Sequence, residues 1–215
     1  MNDAPQQLIQ GTPEWHKARC GSIGSSDAPR IVRRTKTGYS ADRDSLRAAK
    51  VLERLTGVPY QIRRTPAMLQ GLEREPAARM TYALVKGVEV HEVGLVPHIH
   101  IGGSHASPDG LIGDDGLIEI KCPEAAAHLE TLSIESVGQD YLVQIQWQLA
   151  CTRRAYCDYV SFNPDFPPPM QLWSKRVKRD VAFITDLEQE VRKFIREIDD
   201  KVARLSRRYY GKAAA

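Results

Sequence analysis

The sequence predicts a mixed α and β protein, α/β or α+β, in which a central β-sheet is flanked by helices and a long helix closes the chain. Runs rich in β-branched and aromatic residues, typical of strands, occupy the middle of the chain. Amphipathic helical patterns lie on both sides of these runs, and the last pattern is long. With 215 residues the chain can bury a sizeable core, and we expect a single domain over residues 1–215.

The N-terminal third is predicted to be mostly helical. Thr12 and Pro13 form a helix-start signal. After a loop of Gly and Ser, Ser26 and Asp27 could cap a second helix. Residues 40–59 place their leucines on one face of an amphipathic helix, which gives the next element.

The middle of the chain changes from helix to strand. Residues 65–87 predict another helix, in which Pro76 is a warning of a kink or break. Residues 88–106 favour strands, and residues 107–123 contain two further short strand-like runs.

The C-terminal third repeats both patterns. Residues 140–152 predict a largely apolar helix, and residues 154–164 and 170–179 predict two strands. Residues 180–209 predict a long helix with apolar side chains every three or four positions.

The segment of residues 107–123, SPDGLIGDDGLIEIKCP, combines strand-like runs with charge. The turn signal GDDG at residues 113–116 predicts a β-hairpin. Because side chains alternate along a strand, Glu119 and Lys121 point to one face, and the hairpin brings Asp109 beside them. Two carboxylates and a lysine beside apolar strands are costly unless something pairs with them.

Mg²⁺ is a natural counter-charge for this group. It prefers oxygen ligands and completes its octahedron with water and substrate phosphate. One or two such ions can polarise a phosphodiester, while the lysine orients the attacking water or balances developing charge. The alternative is a surface hairpin with an exposed ion pair, which the proline before Asp109 and the apolar neighbours of Glu119 and Lys121 make less favoured.

Four blocks occur in order along the chain: WHKARCGSIGSSD, GLEREPAAR, SPDG with IEIKCP, and YLVQIQ. Together, over residues 15–146, they resemble the phage lambda exonuclease or viral alkaline exonuclease family, which includes YqaJ-type viral recombinases, of the PD-(D/E)xK nuclease superfamily. The resemblance implies a restriction-endonuclease-like core, with a mixed β-sheet between helices.

The resemblance also implies roles for individual residues. The expected catalytic set is Asp109, Glu119, Lys121, Glu75 and Gln144. Asp109 and Glu119 would bind metal with the main-chain carbonyl of Ile120. Lys121 would be the catalytic lysine. Glu75 would support the metal through water, and Gln144 would hold the attacking water or a phosphate.

A pocket for a 5′-phosphate is implied at Arg19, Ser26 and Ser107. Arginine grips a phosphate with several donors, and hydroxyl and main-chain N–H groups at a helix start add more. Met68 could wedge open the duplex end, although a methionine at helical spacing is more often a core residue.

The implied function is a Mg²⁺-dependent 5′→3′ exonuclease that digests one strand of linear duplex DNA from its 5′-phosphorylated end. It would release mononucleotides and leave a 3′ single strand for annealing-type recombination. We expect two Mg²⁺ ions, for which Mn²⁺ can substitute. The implied partners are double-stranded DNA ends, two further copies in a homotrimer, and a single-strand annealing protein. The implied location is the cytoplasm of a bacterial host, with the protein encoded by a phage or prophage.

Two other functions stay open at this point. One is an endonuclease on the same core, which would need a base-reading element that the sequence does not reveal. The other is a catalytically inactive protein that binds DNA ends, which the complete set of Asp109, Glu119 and Lys121 argues against.

Composition narrows the remaining choices. A dedicated nucleic-acid binder usually carries a strongly positive net charge, and the net charge of this chain is only +3. Any basic surface must therefore be local. No run of about 18 apolar residues predicts a membrane span, and no secretory signal is evident. The spacing of the cysteines argues against an iron–sulfur cluster.

Basic residues cluster in the N-terminal third: Arg30, Arg33, Arg34, Lys36, Arg43, Arg47 and Lys50, followed by Arg63 and Arg64. Such a face is usually only solvated, but beside a nuclease core we expect it to follow the DNA backbone.

Overall fold

The computed structural model of the chain describes residues 8–60 and 65–211 and confirms the predicted fold class. The helices are α1 (Pro13–Arg19), α2 (Ala28–Val32), α3 (Ala41–Thr56), α4 (Pro66–Lys86), α5 (Ala125–Ile134), α6 (Gln139–Thr152) and α7 (Val181–Tyr210). The strands are β1 (Arg34–Thr35), β2 (Gly38–Tyr39), β3 (Val90–His91), β4 (Val96–Pro97), β5 (His105–Ala106), β6 (Gly110–Ile112), β7 (Gly116–Lys121), β8 (Tyr156–Phe162) and β9 (Leu172–Lys178).

The main sheet has five strands in the order β3-β6-β7-β8-β9. It is mixed, because β7 and β8 run parallel while every other neighbouring pair in it is antiparallel. The parallel pair requires a crossover, which α5 and α6 supply between the end of β7 and the start of β8. This crossover is what brings α6 over the carboxylates of the hairpin.

The predicted hairpin is present as β6 and β7. Its register pairs Gly110 with Ile118, so the next residue, Asp109, comes opposite Glu119. The guanidinium of Arg154 closes the turn, since its Nη1 donates to the carbonyl oxygens of Gly113 at 2.7 Å and of Gly116 at 2.6 Å.

The sheet separates two apolar clusters. Leu117 of β7 faces the larger cluster, formed with α2, α3, α6 and α7. Ile118 and Ile120 belong to the smaller cluster, with Ala78 and Tyr82 of α4. The alternation predicted for this strand is therefore confirmed, and Glu119 shares the face of Leu117.

The α4 helix continues through Pro76 without a break. A proline leaves one helical carbonyl without its N–H partner, but Pro76 lies on an exposed face where water can satisfy that carbonyl. Thr65 caps the start of α4 by accepting a hydrogen bond from the main-chain N–H of Met68 at 3.2 Å.

The sequence analysis did not predict α5. This helix buries His128, whose Nδ1 is 2.8 Å from Ser161 Oγ and whose Nε2 is 2.8 Å from the Met170 carbonyl oxygen. These partners lie more than thirty residues away along the chain, so local sequence gave little signal for the helix.

The basic cluster of the N-terminal third is largely engaged within the protein. Arg33 and Arg34 pair with carboxylates of α3, α6 and α7. Arg43 is buried and holds Glu197 of α7 with two hydrogen bonds of 2.7 and 2.9 Å, and Arg47 contacts the same carboxylate. These ion pairs fasten α3 and the segment after α2 to neighbouring helices. That the basic cluster follows DNA stays a prediction, and its members Arg63 and Arg64 lie outside the described residues.

The long C-terminal helix α7 has 30 residues and starts at Asp180, which accepts a hydrogen bond from the N–H of Phe183. One face is buried against the larger cluster, and the other is charged. Within residues 8–60 and 65–211, no helix is both long enough and apolar enough to cross a membrane.

Candidate active site

Three of the predicted site residues meet at the hairpin. Lys121 Nζ lies 2.5 Å from Glu119 Oε1. Asp109 Oδ2 accepts a hydrogen bond of 2.6 Å from the main-chain N–H of Ile120, which fixes this carboxylate across the strand pair. The ring of Tyr141 lies 5.3 Å from Lys121 Nζ, within the range of a cation–π contact.

Both oxygens of Glu119 are held from α6. Gln144 Nε2 donates to Oε1 at 2.6 Å, and Gln148 Nε2 donates to Oε2 at 2.5 Å. Residues four apart in a helix share a face, so one turn of α6 presents both amides to one carboxylate. Glu119 is only 2% exposed, and these donors replace the water that it loses on burial.

Gln148 is a site residue that the sequence analysis missed. The resemblance pointed to the block that ends at Gln146, but Gln146 turns away and bonds the main chain of Lys178 and Asp180. The available signal was the four-residue spacing of Gln144 and Gln148 in a helix predicted to cover the hairpin.

Glu75 reaches the site from α4 through Arg79. Arg79 Nη2 donates to Glu75 Oε1 at 2.6 Å, and Arg79 Nε donates to the main-chain oxygen of Asp109 at 3.0 Å. One arginine therefore ties α4 to the residue that begins the hairpin.

The carboxylates of the site are electrostatically crowded. Burial, then the charges of Glu119 and Glu75, raise the pKa of Asp109 well above its ordinary value. Burial also raises the pKa of Glu75, against the opposing effect of Arg79. Burial alone would lower the pKa of Lys121, but Glu119 and Asp109 outweigh it and the pKa is raised, so the amine stays protonated.

The donor set suits a small divalent cation bound largely by water and substrate. Within the described residues, no three His, Cys, Asp or Glu side chains form a ready-made metal cage. Mg²⁺ does not need one, because it commonly takes one or two carboxylates. Asp109, Glu119 and the Ile120 carbonyl would supply such oxygens, and a cation would relieve the crowding that raises the Asp109 pKa. Among the residues that the structure describes, the buried Gln148 Oε1 has no hydrogen-bond partner, which adds an unsatisfied acceptor beside Glu119.

The residues predicted for a phosphate pocket lie around α1 and the segment after β5. Arg19 Nε donates to His105 Nε2 at 3.1 Å, and its guanidinium carbon lies 3.9 Å from the centre of the Trp15 ring. Ser26 is exposed. Within residues 8–60 and 65–211, Ser107 Oγ is buried without a hydrogen-bond partner and Arg19 Nη1 and Nη2 make no hydrogen bond. In the same part of the chain, no hydrogen bond joins the three predicted residues to one another.

Met68 lies in the first turn of α4 and is 50% exposed. Its neighbours Leu69 and Leu72 are exposed to a similar degree. The core alternative for Met68 is therefore wrong, and its role as a wedge stays a prediction.

Residues 14–155 match the family model of the YqaJ-like viral recombinase domain. An alkaline exonuclease, LHK-Exo from Laribacter hongkongensis, is 40% identical, and the superposition covers 94% of this chain and 100% of that one with a TM-score of 0.87. LHK-Exo in complex with dAMP gives the same identity and coverage with a TM-score of 0.88.

A phage-related exonuclease from Haemophilus somnus 129PT is 12% identical and has a TM-score of 0.72, with 86% of this chain and 96% of that chain covered. At this identity the likeness supports the fold alone. The comparison with curated protein sequences gave no significant match.

Replacing Gln148 with methionine is expected to lower the free energy of unfolding by about 1 kcal/mol. The loss of a donor to the buried Glu119 carboxylate outweighs the removal of the unpaired Gln148 Oε1, because hydrogen bonds to charged groups are the stronger ones. Urea denaturation in metal-free buffer measures this. Gln139→Met, at an exposed position of the same helix, is the control, and equal effects of the two changes would contradict the role of Gln148.

Proposed function

This chain belongs to the family of YqaJ-like viral recombinase domains, and on that basis we propose that it is a metal-dependent 5′→3′ exonuclease acting on linear duplex DNA. The observation that carries the proposal is the convergence of Asp109, Glu119 and Lys121 at one hairpin, beneath the two amides of α6. The 40% identical neighbour is an alkaline exonuclease, and the match covers its whole chain, which supports the same reaction class.

Asp109, Glu119 and the carbonyl of Ile120 would hold one or two Mg²⁺ ions, for which Mn²⁺ can substitute. When bound, such an ion polarises the phosphodiester and lowers the pKa of a bound water. Glu75 would accept hydrogen bonds from water at the edge of this site. Its pKa is raised by burial, and Arg79 holds its carboxylate with a hydrogen bond.

Lys121 would act as a hydrogen-bond donor and not as the base. Its amine stays protonated because Glu119 and Asp109 outweigh the effect of burial. A fixed cation at this position would orient the attacking water and stabilise charge on the phosphoryl oxygens in the transition state. Gln144 can share that task only through the part of its amide that Glu119 does not use.

The proposed polarity rests on a pocket for the terminal 5′-phosphate. Among the described residues, no partner uses the outer N–H groups of Arg19 or the hydroxyl of Ser107, and Ser26 is exposed in the short helical turn Ser25–Asp27. Binding the terminal phosphate there would place the next phosphodiester at the metal site, so cleavage would release mononucleotides. The complex of LHK-Exo with dAMP, a nucleoside monophosphate, is consistent with that product class.

Family membership also supports proposals on assembly and context. We propose a homotrimer that encloses the DNA, a single-strand annealing protein as partner in phage-type recombination, and the cytoplasm of a bacterial host as its location. Met68, exposed at the start of α4, would separate the strands at the duplex end.

Asp109→Asn and Lys121→Met are each expected to reduce cleavage by at least about a hundredfold, because the first weakens metal binding and the second removes a cation that stabilises transition-state charge. Asparagine keeps an acceptor for the N–H of Ile120, so the hairpin should survive. Asp114→Asn, at an exposed carboxylate in the turn of the same hairpin, is the matched control and should cleave normally. Chelation with EDTA should stop the wild-type reaction, and added Mg²⁺ should restore it.

The assay uses linear duplex DNA labelled at the 5′ or the 3′ end, with a covalently closed circle as control. Early release of labelled mononucleotide from the 5′ end, with the circle intact, would support the exonuclease. Nicking of the circle would favour the endonuclease, and binding of ends without cleavage would favour the inactive end-binding protein.

Arg19→Ala is expected to remove most of the preference for 5′-phosphorylated over 5′-hydroxyl ends, because a charge-assisted contact to the phosphate is lost. The measurement is the ratio of initial rates on the two substrates. Lys17→Ala, at an exposed lysine of the same helix, controls for a general loss of positive charge. An unchanged ratio in Arg19→Ala would place the phosphate elsewhere.

Light scattering coupled to size exclusion is expected to give about three times the chain mass of 24.1 kDa, as the trimer proposal requires. The mass of a monomer across the working concentration range would refute the trimer.

A further inference from the structure

Arg19 is held in place by two contacts that leave its outer nitrogens free. Trp15 covers one face of the guanidinium at 3.9 Å, and His105 Nε2 accepts the Nε–H at 3.1 Å. Within the described residues, no hydrogen bond or ion pair is found for Arg19 Nη1 or Nη2. These two nitrogens carry the four N–H groups with which a guanidinium forks onto a phosphate.

The nearby carboxylates do not neutralise Arg19 directly. Asp27 accepts a main-chain N–H at 3.0 Å, and Glu53 accepts two at 2.9 Å each. Lys50 Nζ is 3.5 Å from Asp27 and 3.1 Å from Glu53, so these acids already have a cation. Burial lowers the pKa of Arg19, with Asp27 and Glu53 opposing it only from a distance.

The hydrogen bonds of His105 fix its tautomer. Arginine can only donate, so His105 Nε2 must be the unprotonated nitrogen that accepts from Arg19. The proton then resides on Nδ1, which donates to Ser22 Oγ at 2.8 Å. Burial, followed by the charges of Arg19 and Lys50, lowers the pKa of His105 to about 3, so the ring stays neutral at ordinary pH.

The main chain around His105 is equally constrained. Its N–H donates to the Ile23 carbonyl oxygen at 2.8 Å, and its carbonyl oxygen accepts from Trp147 Nε1 at 3.2 Å. Gly24 permits the close approach of the pair, since a Cβ there would lie 3.2 Å from His105 Nε2 and 3.4 Å from Arg19 Nη2. His105 is 2% exposed and has little freedom to turn.

We propose that His105 is a positioning residue for the 5′-phosphate site. It accepts a hydrogen bond from the Nε–H of Arg19 and so presents the outer N–H groups of that guanidinium to the terminal phosphate. The proposal rests on the proposed function, because it assumes that Arg19 binds this phosphate. Ser107, two residues further along the same segment, carries a buried hydroxyl that has no partner within the described part of the chain, which places a second available donor close by in the sequence. His105 itself would not touch the substrate.

The test compares initial rates on duplexes with 5′-phosphate and 5′-hydroxyl ends, because this ratio does not depend on the fraction of folded enzyme. His105→Phe keeps a planar ring but removes the acceptor, and should lower the ratio by about tenfold. His105→Gln retains an acceptor and should keep most of the preference. His100→Phe, at an exposed histidine of the same segment, is the control and should match wild type.

Gly24→Ala provides a second variant in case His105→Phe does not fold. It keeps every hydrogen-bonding group but inserts a methyl against the His105–Arg19 pair, and it should also lower the ratio. In addition, nitrogen-15 NMR of the wild-type protein should find His105 protonated at Nδ1 and not at Nε2.

The outcomes separate this inference from the proposed function. A wild-type ratio in His105→Phe or in Gly24→Ala, with the ratio lost in Arg19→Ala, would overturn the role of His105 and leave the phosphate pocket standing. A proton on His105 Nε2 would also overturn it. An unchanged ratio in Arg19→Ala would instead remove the phosphate pocket on which both statements rest.

Discussion

The arrangement of the site depends on how the carboxylate of Glu119 is accommodated inside a sheet. Its strand is central, so the side chain cannot reach bulk water, and a buried carboxylate must find donors within the protein. Lys121 and two amides of α6 supply them. The crossover between the parallel strands β7 and β8 carries α6 over this position. The strand order of the sheet therefore provides the donors that the buried Glu119 carboxylate requires.

The arginines of the N-terminal third divide into two classes by their partners. Carboxylates of α3, α6 and α7 pair with Arg33, Arg34, Arg43 and Arg47, and Arg43 is buried beside Glu197. These ion pairs join neighbouring helices and so stabilise the fold. Arg19 has an aromatic face and a neutral imidazole as partners, and its carboxylate neighbours are engaged elsewhere. Among the arginines that the structure describes in this third, Arg19 is therefore the one that we propose binds an anion.

Much of the fold was readable from the sequence because its signals are local. The GDDG turn between two alternating strands sets a register that brings Asp109 opposite Glu119, and the structure has that register. Long helical runs gave α3, α4, α6 and α7, with a periodic apolar face in α3 and α7. The helix α5 was missed because its buried His128 is satisfied by partners distant in the chain. The break that Pro76 warned of did not occur, and the carbonyl that loses its N–H partner there lies on an exposed face where water can satisfy it.

By itself the sequence determined the strand pair and the residue types that carry chemistry, because turn signals and alternation act between near neighbours. Only the tertiary structure decided which polar side chains converge. Gln148 reaches Glu119 while Gln146, two residues earlier, bonds the main chain near the start of α7. Equally, most of the clustered arginines became internal ion pairs, and His105 became the anchor of Arg19 across 86 residues. Such pairings depend on the distances and directions between packed elements, and spacing along the chain does not encode them.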